Sequence, residues 1–166
     1  MVYRTKTYLA ADWDGDRDAI EKLHEWNRNS FYSLNFVDVH DIIQSRDTSL
    51  PCSIKKSLSR RMDLCKTFVF IVGDETNSKQ KGKCRYCKRY YTCYEGTDGK
   101  SFLEFEIDNA LRDGLRIVVL YNSAYMYRNT RCPEALRNVG VHVAMKKSSG
   151  EWNYQEVKNA IMGNTF

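Results

Sequence analysis

The sequence predicts an α/β protein in which helices cover both faces of a parallel sheet. Segments with the pattern of strands alternate with segments of helical periodicity along most of the chain, and this alternation is typical of parallel α/β folds. The clearest strand, residues 67–73, is a continuous apolar run, as expected for a strand that is covered on both faces. Residues 101–114 carry the start and stop signals of one amphipathic helix.

Five strands and five helices are predicted in order along the chain. The strands are short apolar runs at residues 7–11, 36–39, 67–73, 115–121 and 141–145. Apolar side chains recur at helical spacing in residues 17–27, 51–65, 101–114 and 153–162, and a short helix is expected at 133–138. Pro51 suits the first turn of its helix. Because helices separate the strands, we expect the strands to run parallel.

The central helix, residues 101–114, carries the most informative side chains. Ser101 and Glu104 have the spacing of a capping box, and Gly114 stands where a left-handed residue would end the helix. An apolar stripe follows the helical period through Leu103, Ile107, Ala110 and Leu111. Glu106 has no capping duty and lies about 60° from Leu103 on the flank of this stripe. Two interpretations are open. Glu106 is either a half-desolvated carboxylate that acts on a ligand or an ordinary helix glutamate in contact with solvent.

The predicted topology places an acidic turn close to this glutamate. Ligands of open α/β sheets bind beyond the carboxyl ends of the strands. Asp12, Trp13 and Asp14 follow the first strand, and the central helix follows the third strand. Both segments belong to the same edge of the sheet. The sequence therefore predicts a ligand site between this turn and Glu106.

Length and composition set the class of protein. A chain of 166 residues is expected to form a single domain over residues 1–166, with an insertion at about 75–100. The net charge of +5 is concentrated in that insertion and does not require a nucleic-acid partner. No apolar run approaches the roughly 20 residues that span a bilayer, and the first residues lack a signal-peptide core. We therefore expect a cytoplasmic protein that does not contact membranes.

The sequence resembles TIR domains, and more narrowly the TIR-type proteins of bacterial Thoeris anti-phage defence. The resemblance rests on residues 102–107 running into 116–120, on the strand at 68–72 and on the alternation of elements, and it covers roughly residues 6–162. It implies a flavodoxin-like three-layer fold with a five-stranded parallel sheet in the order 2-1-3-4-5. It also implies cleavage of the nicotinamide–ribose bond of NAD⁺, which is then the substrate and not a cofactor.

The same resemblance implies site residues and partners. The family's catalytic glutamate maps onto Glu106, and Phe102 lies at the position nearest the aromatic residue that precedes it. Ser45 belongs to the loop that borders the family's pocket. The residues that line this pocket after the first strand map onto Ala11, Asp12, Trp13 and Asp14. The expected product is an ADP-ribose-derived nucleotide that activates a separate defence effector. A phage-derived trigger and a homo-oligomer are further partners that the resemblance implies.

Two other functions remain open at the level of sequence. One is a TIR-like adaptor that assembles through surface loops and has no chemistry. The other is a nucleoside N-glycosidic-bond transferase of the same superfold, such as a deoxyribosyltransferase. The identity of the base released from NAD⁺ and from deoxynucleosides separates the two enzymatic hypotheses.

The insertion combines cysteines with basic and tyrosine residues. Cys84, Cys87 and Cys93 have a spacing that suits zinc, but a closed structural site needs four ligands. We therefore predict free thiols and no metal site. The tyrosines interleaved with Lys and Arg suit a lid over the pocket or a protein contact, and RNA or DNA is a further alternative.

Overall fold

A computed structural model describes residues 4, 6–12, 14–29, 51–76 and 100–163. In these ranges four strands form one parallel sheet in the order β1-β2-β3-β4. The strands are β1 (Lys6–Ala10), β2 (Cys65–Val72), β3 (Arg116–Tyr121) and β4 (Val141–Ala144). The prediction of a parallel sheet is confirmed.

The described ranges contain four strands, and their order covers only part of the predicted five-stranded order 2-1-3-4-5. The four strands match the predicted first, third, fourth and fifth, and the hydrogen-bond ladder places each one beside the next along the chain. The predicted second strand, residues 36–39, lies outside the described residues. The predicted order came from the family resemblance, because apolar runs identify strands without saying which strands are neighbours.

In the described ranges, four α-helices and one short 3₁₀ helix link or follow the strands. They are α1 (Arg17–Arg28), α2 (Pro51–Met62), α3 (Phe102–Arg112), the 3₁₀ helix Glu134–Leu136, and α4 (Tyr154–Met162). The prediction that the second helix continues to residue 65 is wrong, because the chain turns at Asp63 and Leu64 and Cys65 begins β2. None of the helices in the described ranges has the length and hydropathy of a membrane span.

The sheet separates two apolar clusters, which makes the fold three-layered. One cluster packs α2 and α3 against side chains that include Tyr8, Phe68 and Phe70. The other packs α1 and α4 against the alternate side chains of the same strands, Val69 and Ile71 among them. Both faces of β2 are therefore covered, which explains why its sequence is apolar throughout.

The start of α3 is held by local and distant contacts. The Glu104 backbone N–H donates to Ser101 Oγ at 3.2 Å, and the Ser101 N–H donates to Glu104 Oε2 at 3.1 Å, so the predicted capping box is confirmed. Gly114 adopts the expected left-handed conformation with φ at 68°. The buried Lys55 of α2 donates from Nζ to the Lys100 carbonyl at 2.6 Å. This last bond ties α2 to the segment that precedes α3.

Candidate functional site

Glu106 lies in the interior of the molecule, between α3 and β1. Its exposed fraction is 0%, and the phenol of Tyr8 donates a hydrogen bond of 2.6 Å to Glu106 Oε1. This length is typical of a hydroxyl that donates to a carboxylate. Tyr8 is also fully buried, and its ring stacks on Phe68. The carboxyl group is therefore held in one orientation in surroundings from which water is largely excluded.

The prediction that Glu106 is half-desolvated is wrong, because the side chain is completely buried. A helical wheel shows only the stripe that α3 turns toward the sheet. In the structure α2 packs beside α3 on the same face of the sheet. Glu106 on the flank of the stripe is covered by other elements of the fold, Tyr8 of β1 among them, and a helical wheel does not include such neighbours.

The other predicted site residues lie in three different places. Phe102 is 6% exposed and packs in the same cluster as Tyr8, whereas Ala11 belongs to the cluster on the opposite face of the sheet. Asp12 is 8% exposed in the turn after β1, and Asp14 beside it is exposed. Trp13 and Ser45 lie outside the described residues.

Because Glu106 contacts Tyr8, the distance from Glu106 to the acidic turn follows from the position of Tyr8 in β1. Tyr8 precedes Asp12 by four residues, which corresponds to roughly 13 Å along an extended strand. Glu106 and Phe102 therefore belong to the interior layer above β1. Asp12 and Asp14 belong to the carboxyl edge of the sheet.

A second polar cluster lies at this edge and is centred on Asp16, which is 2% exposed. Asn122, after β3, donates from Nδ2 to Asp16 Oδ1 at 3.0 Å and to Asp18 Oδ1 at 2.9 Å. Gly73, after β2, lies so close that a Cβ there would stand 2.1 Å from Asp16 Oδ1. Lys146, after β4, donates to Asp18 Oδ2 at 3.5 Å. Three strand ends thus meet the first turn of α1.

This environment changes the acidity of Asp16. Burial raises the pKa of its carboxyl from 3.8 to about 6; the hydrogen bond from Asn122 opposes the rise, and repulsion by Asp12, Asp18 and Asp74 adds to it. From the sequence alone, Asp12, Asp14, Asp16 and Asp18 are expected to form a solvated turn and helix start, and for Asp16 this expectation is wrong because the side chain is buried. Nothing in the local sequence singles out Asp16, because the groups that surround it come from distant parts of the chain.

A cavity of about 260 Å³ lies beside α3. It is bordered by the carboxyl end of β2, the start of α3 and the 3₁₀ helix. Glu104 and Asp108 line it, and each stands two residues from Glu106, about 200° around the helix. Glu106 is not among the described residues that line this cavity.

Three further titratable groups, those of Tyr121, His142 and Cys132, are held by structural contacts. The Tyr121 hydroxyl lies 2.8 Å from His142 Nδ1, and His142 Nε2 lies 3.1 Å from the Val139 carbonyl. Burial and the nearby Arg128 lower the pKa of His142. Burial raises the pKa of the Cys132 thiol, so this cysteine is not an activated nucleophile. Within the described ranges, no three His, Cys, Asp or Glu side chains are placed to hold a metal ion.

Comparison of the chain with models of protein families and with curated protein sequences gives no match. The three cysteines of the insertion, Cys84, Cys87 and Cys93, lie outside the described residues.

Proposed function

We propose that this protein cleaves the nicotinamide–ribose bond of NAD⁺ and that Glu106 is the essential carboxylate. The observation that carries the proposal is the buried 2.6 Å hydrogen bond from Tyr8 to Glu106 Oε1. A buried acid is costly for a fold and calls for a reason. The TIR-type resemblance supplies that reason, since it maps the family's catalytic glutamate onto this residue.

A fixed anion suits the cleavage of the nicotinamide–ribose bond. Departure of nicotinamide leaves the ribose with oxocarbenium character, and a carboxylate near the anomeric carbon stabilises the developing positive charge. Such stabilisation is strongest where water is excluded and where the charge need not reorganise. Tyr8 supports this role because its hydrogen bond fixes the orientation of the carboxylate.

The surroundings also bear on the product. Phe102 lies one helical turn before Glu106 and packs in the same cluster as Tyr8. An apolar, water-poor setting disfavours hydrolysis of the ribosyl cation. Capture by a second group of the same nucleotide then competes well, and we expect a cyclic or conjugated ADP-ribose product that acts on a separate effector.

The test is mass spectrometry of NAD⁺ incubated with the purified protein, alone and in lysate from phage-infected cells that supplies a trigger. We expect nicotinamide release by the wild type and a loss of at least about 100-fold in Glu106→Gln. Tyr8→Phe should retain a reduced rate of about a tenth, because Tyr8 acts by positioning the carboxylate. Glu156→Gln, an exposed change on α4, should leave the rate unchanged. Circular dichroism of each variant checks that it is folded.

Two results would overturn the proposal. One is a folded Glu106→Gln variant that releases nicotinamide at the wild-type rate. The other is a wild-type protein that releases no nicotinamide even in the lysate of infected cells. Release of a free base from deoxynucleosides and not from NAD⁺ would instead indicate the transferase alternative.

The complete burial of Glu106 favours a second candidate, a non-catalytic TIR-like interaction module. In that case the Tyr8–Glu106 bond only joins β1 to α3. Glu106→Gln would then leave phage protection intact in a variant that folds. Charge reversal at Lys88 and Arg89, in the basic insertion, would abolish it.

A further inference from the structure

We infer that the cavity beside α3 is a binding site for a small organic cation, a ligand with one ammonium or guanidinium group on an apolar body. Glu106 is not among the described residues that line this cavity, and the inference does not depend on the proposed NAD⁺ chemistry. The cavity is formed where the carboxyl end of β2 meets the start of α3 and the 3₁₀ helix.

The shape of the cavity selects for size and for an apolar body. Its volume is about 260 Å³, just below the roughly 300–1,000 Å³ of sites that hold drug-sized ligands. Phe70 and Ile107 are 0% and 3% exposed and form apolar lining, and Leu103 adds a partly buried side chain. A compact group fits this space, and a dinucleotide does not.

The charge of the cavity selects for a cation. The carboxylates of Glu104, Asp108 and Glu134 line it, and none of the described lining residues is Lys, Arg or His. An ammonium group among these oxygens gains charge-assisted hydrogen bonds. An anion would be repelled, and a neutral molecule of the same shape would have only the apolar contact.

The start of the helix does not account for these acids as a set. Helix N-termini favour a carboxylate in the first turn, and Glu104 has that duty in the capping box. Asp108 lies in the second turn, and Glu134 belongs to a different element. Glu134 is exposed and makes no ion pair with a described residue.

Asp108 lines the cavity and already binds a cationic side chain. It forms an ion pair with Lys100, and the two side chains are 48% and 42% exposed. Exposed pairs of this kind contribute little to stability. A ligand cation can therefore replace the lysine at small cost.

The experiment is a calorimetric titration of the full chain with 2-phenylethylammonium chloride, compared with the neutral 2-phenylethanol. We expect saturable one-to-one binding of the cation, and binding of the alcohol weaker by about tenfold. Glu134→Gln should weaken cation binding by about two- to fivefold, the range of one exposed charge pair. Glu21→Gln removes the same charge from α1, on the opposite face of the sheet, and should leave the affinity unchanged.

Three outcomes would overturn the inference. They are no saturable binding of the ammonium probe, equal affinity for the ammonium and the alcohol, and equal effects of Glu134→Gln and Glu21→Gln. Glu134 and Glu21 are both exposed, so both variants are expected to fold, which their thermal unfolding would verify. Because the readout is binding and not nicotinamide release, this test and the test of Glu106 can fail separately.

Discussion

At the scale of single residues, the most unusual group is the carboxyl of Asp16. It is 2% exposed and is packed against Gly73, with Asn122 as hydrogen-bond donor. Its charged form is disfavoured by burial and by the neighbouring acids Asp12, Asp18 and Asp74. At neutral pH the charged carboxylate of Asp16 therefore lowers the stability of the folded protein. Asp16 lies at the edge of the sheet where α/β proteins bind ligands.

The raised pKa of Asp16 makes the stability of the protein depend on pH. The pKa of Asp16 is about 6 in the folded protein against an ordinary value of 3.8. The folded state therefore binds the proton more tightly, and the contribution of Asp16 is fully present below about pH 4 and is lost as the pH rises through about 6. Asp16→Asn should raise the free energy of unfolding at pH 8 by at most about 3 kcal/mol.

Urea unfolding of both proteins from pH 4 to pH 8 checks this expectation. The difference between Asp16→Asn and the wild type should be small at the acid end and grow through pH 6. Asp14→Asn, at an exposed position in the same turn, serves as the control for the loss of one carboxylate from this turn. A difference for Asp16→Asn that does not change with pH would contradict the burial of this acid.

At the scale of elements, the entry to β4 depends on close approach of two backbones. Gly140, just before β4, has φ at 76°, and a Cβ there would stand 2.3 Å from the carbonyl oxygen of Ile117 in β3. Gly150, in the turn after β4, has φ at 88°, but a Cβ there would meet nothing within 4 Å. The two glycines share the backbone conformation and differ in their surroundings.

Alanine at Gly140 and at Gly150 distinguishes the cost of backbone strain from the cost of a packing clash. Gly150→Ala should destabilise the protein by about 1–2 kcal/mol, the cost of a left-handed residue with a side chain. Gly140→Ala should cost the same amount and a further 1–3 kcal/mol, roughly, because the Ile117 backbone cannot move away without disturbing β3. Chemical denaturation of the two variants measures the difference. Equal costs would show that β4 can shift away from β3.

At the scale of the whole molecule, one sheet supports two separate apolar clusters. Leu23 of α1 lies in one cluster and Leu58 of α2 in the other, and both are at most 1% exposed. Each strand contributes alternate side chains to each cluster. Loss of packing on one face therefore weakens the support of the other.

We expect both faces to unfold together. Leu23→Ala and Leu58→Ala should each lower the free energy of unfolding by about 2–5 kcal/mol. Tryptophan fluorescence includes the signal of Trp26 in the α1 and α4 cluster, and circular dichroism follows all the helices. In each variant the two signals should have the same denaturation midpoint. If Leu58→Ala moved only the circular dichroism transition, the two faces would unfold independently.

The sequence by itself determined the α/β class, the positions of the four described strands and the limits of α3. These features depend on neighbours along the chain: apolar runs for strands, and Ser101, Glu104 and Gly114 for the helix ends. The sequence also placed Glu106 on the helix that follows a central strand. Such local patterns can be recognised in the amino-acid sequence because the contacts that cause them span only a few residues.

Only the tertiary structure decided the environment of each acid. Tyr8 meets Glu106 across 98 residues, and Asn122 meets Asp16 across 106. Periodicity shows which way a side chain points from its own element, but not which other element covers it. The strand order, the burial of Glu106, the raised pKa of Asp16 and the acidic cavity all depend on such distant neighbours, because burial and charge act through space and not along the chain.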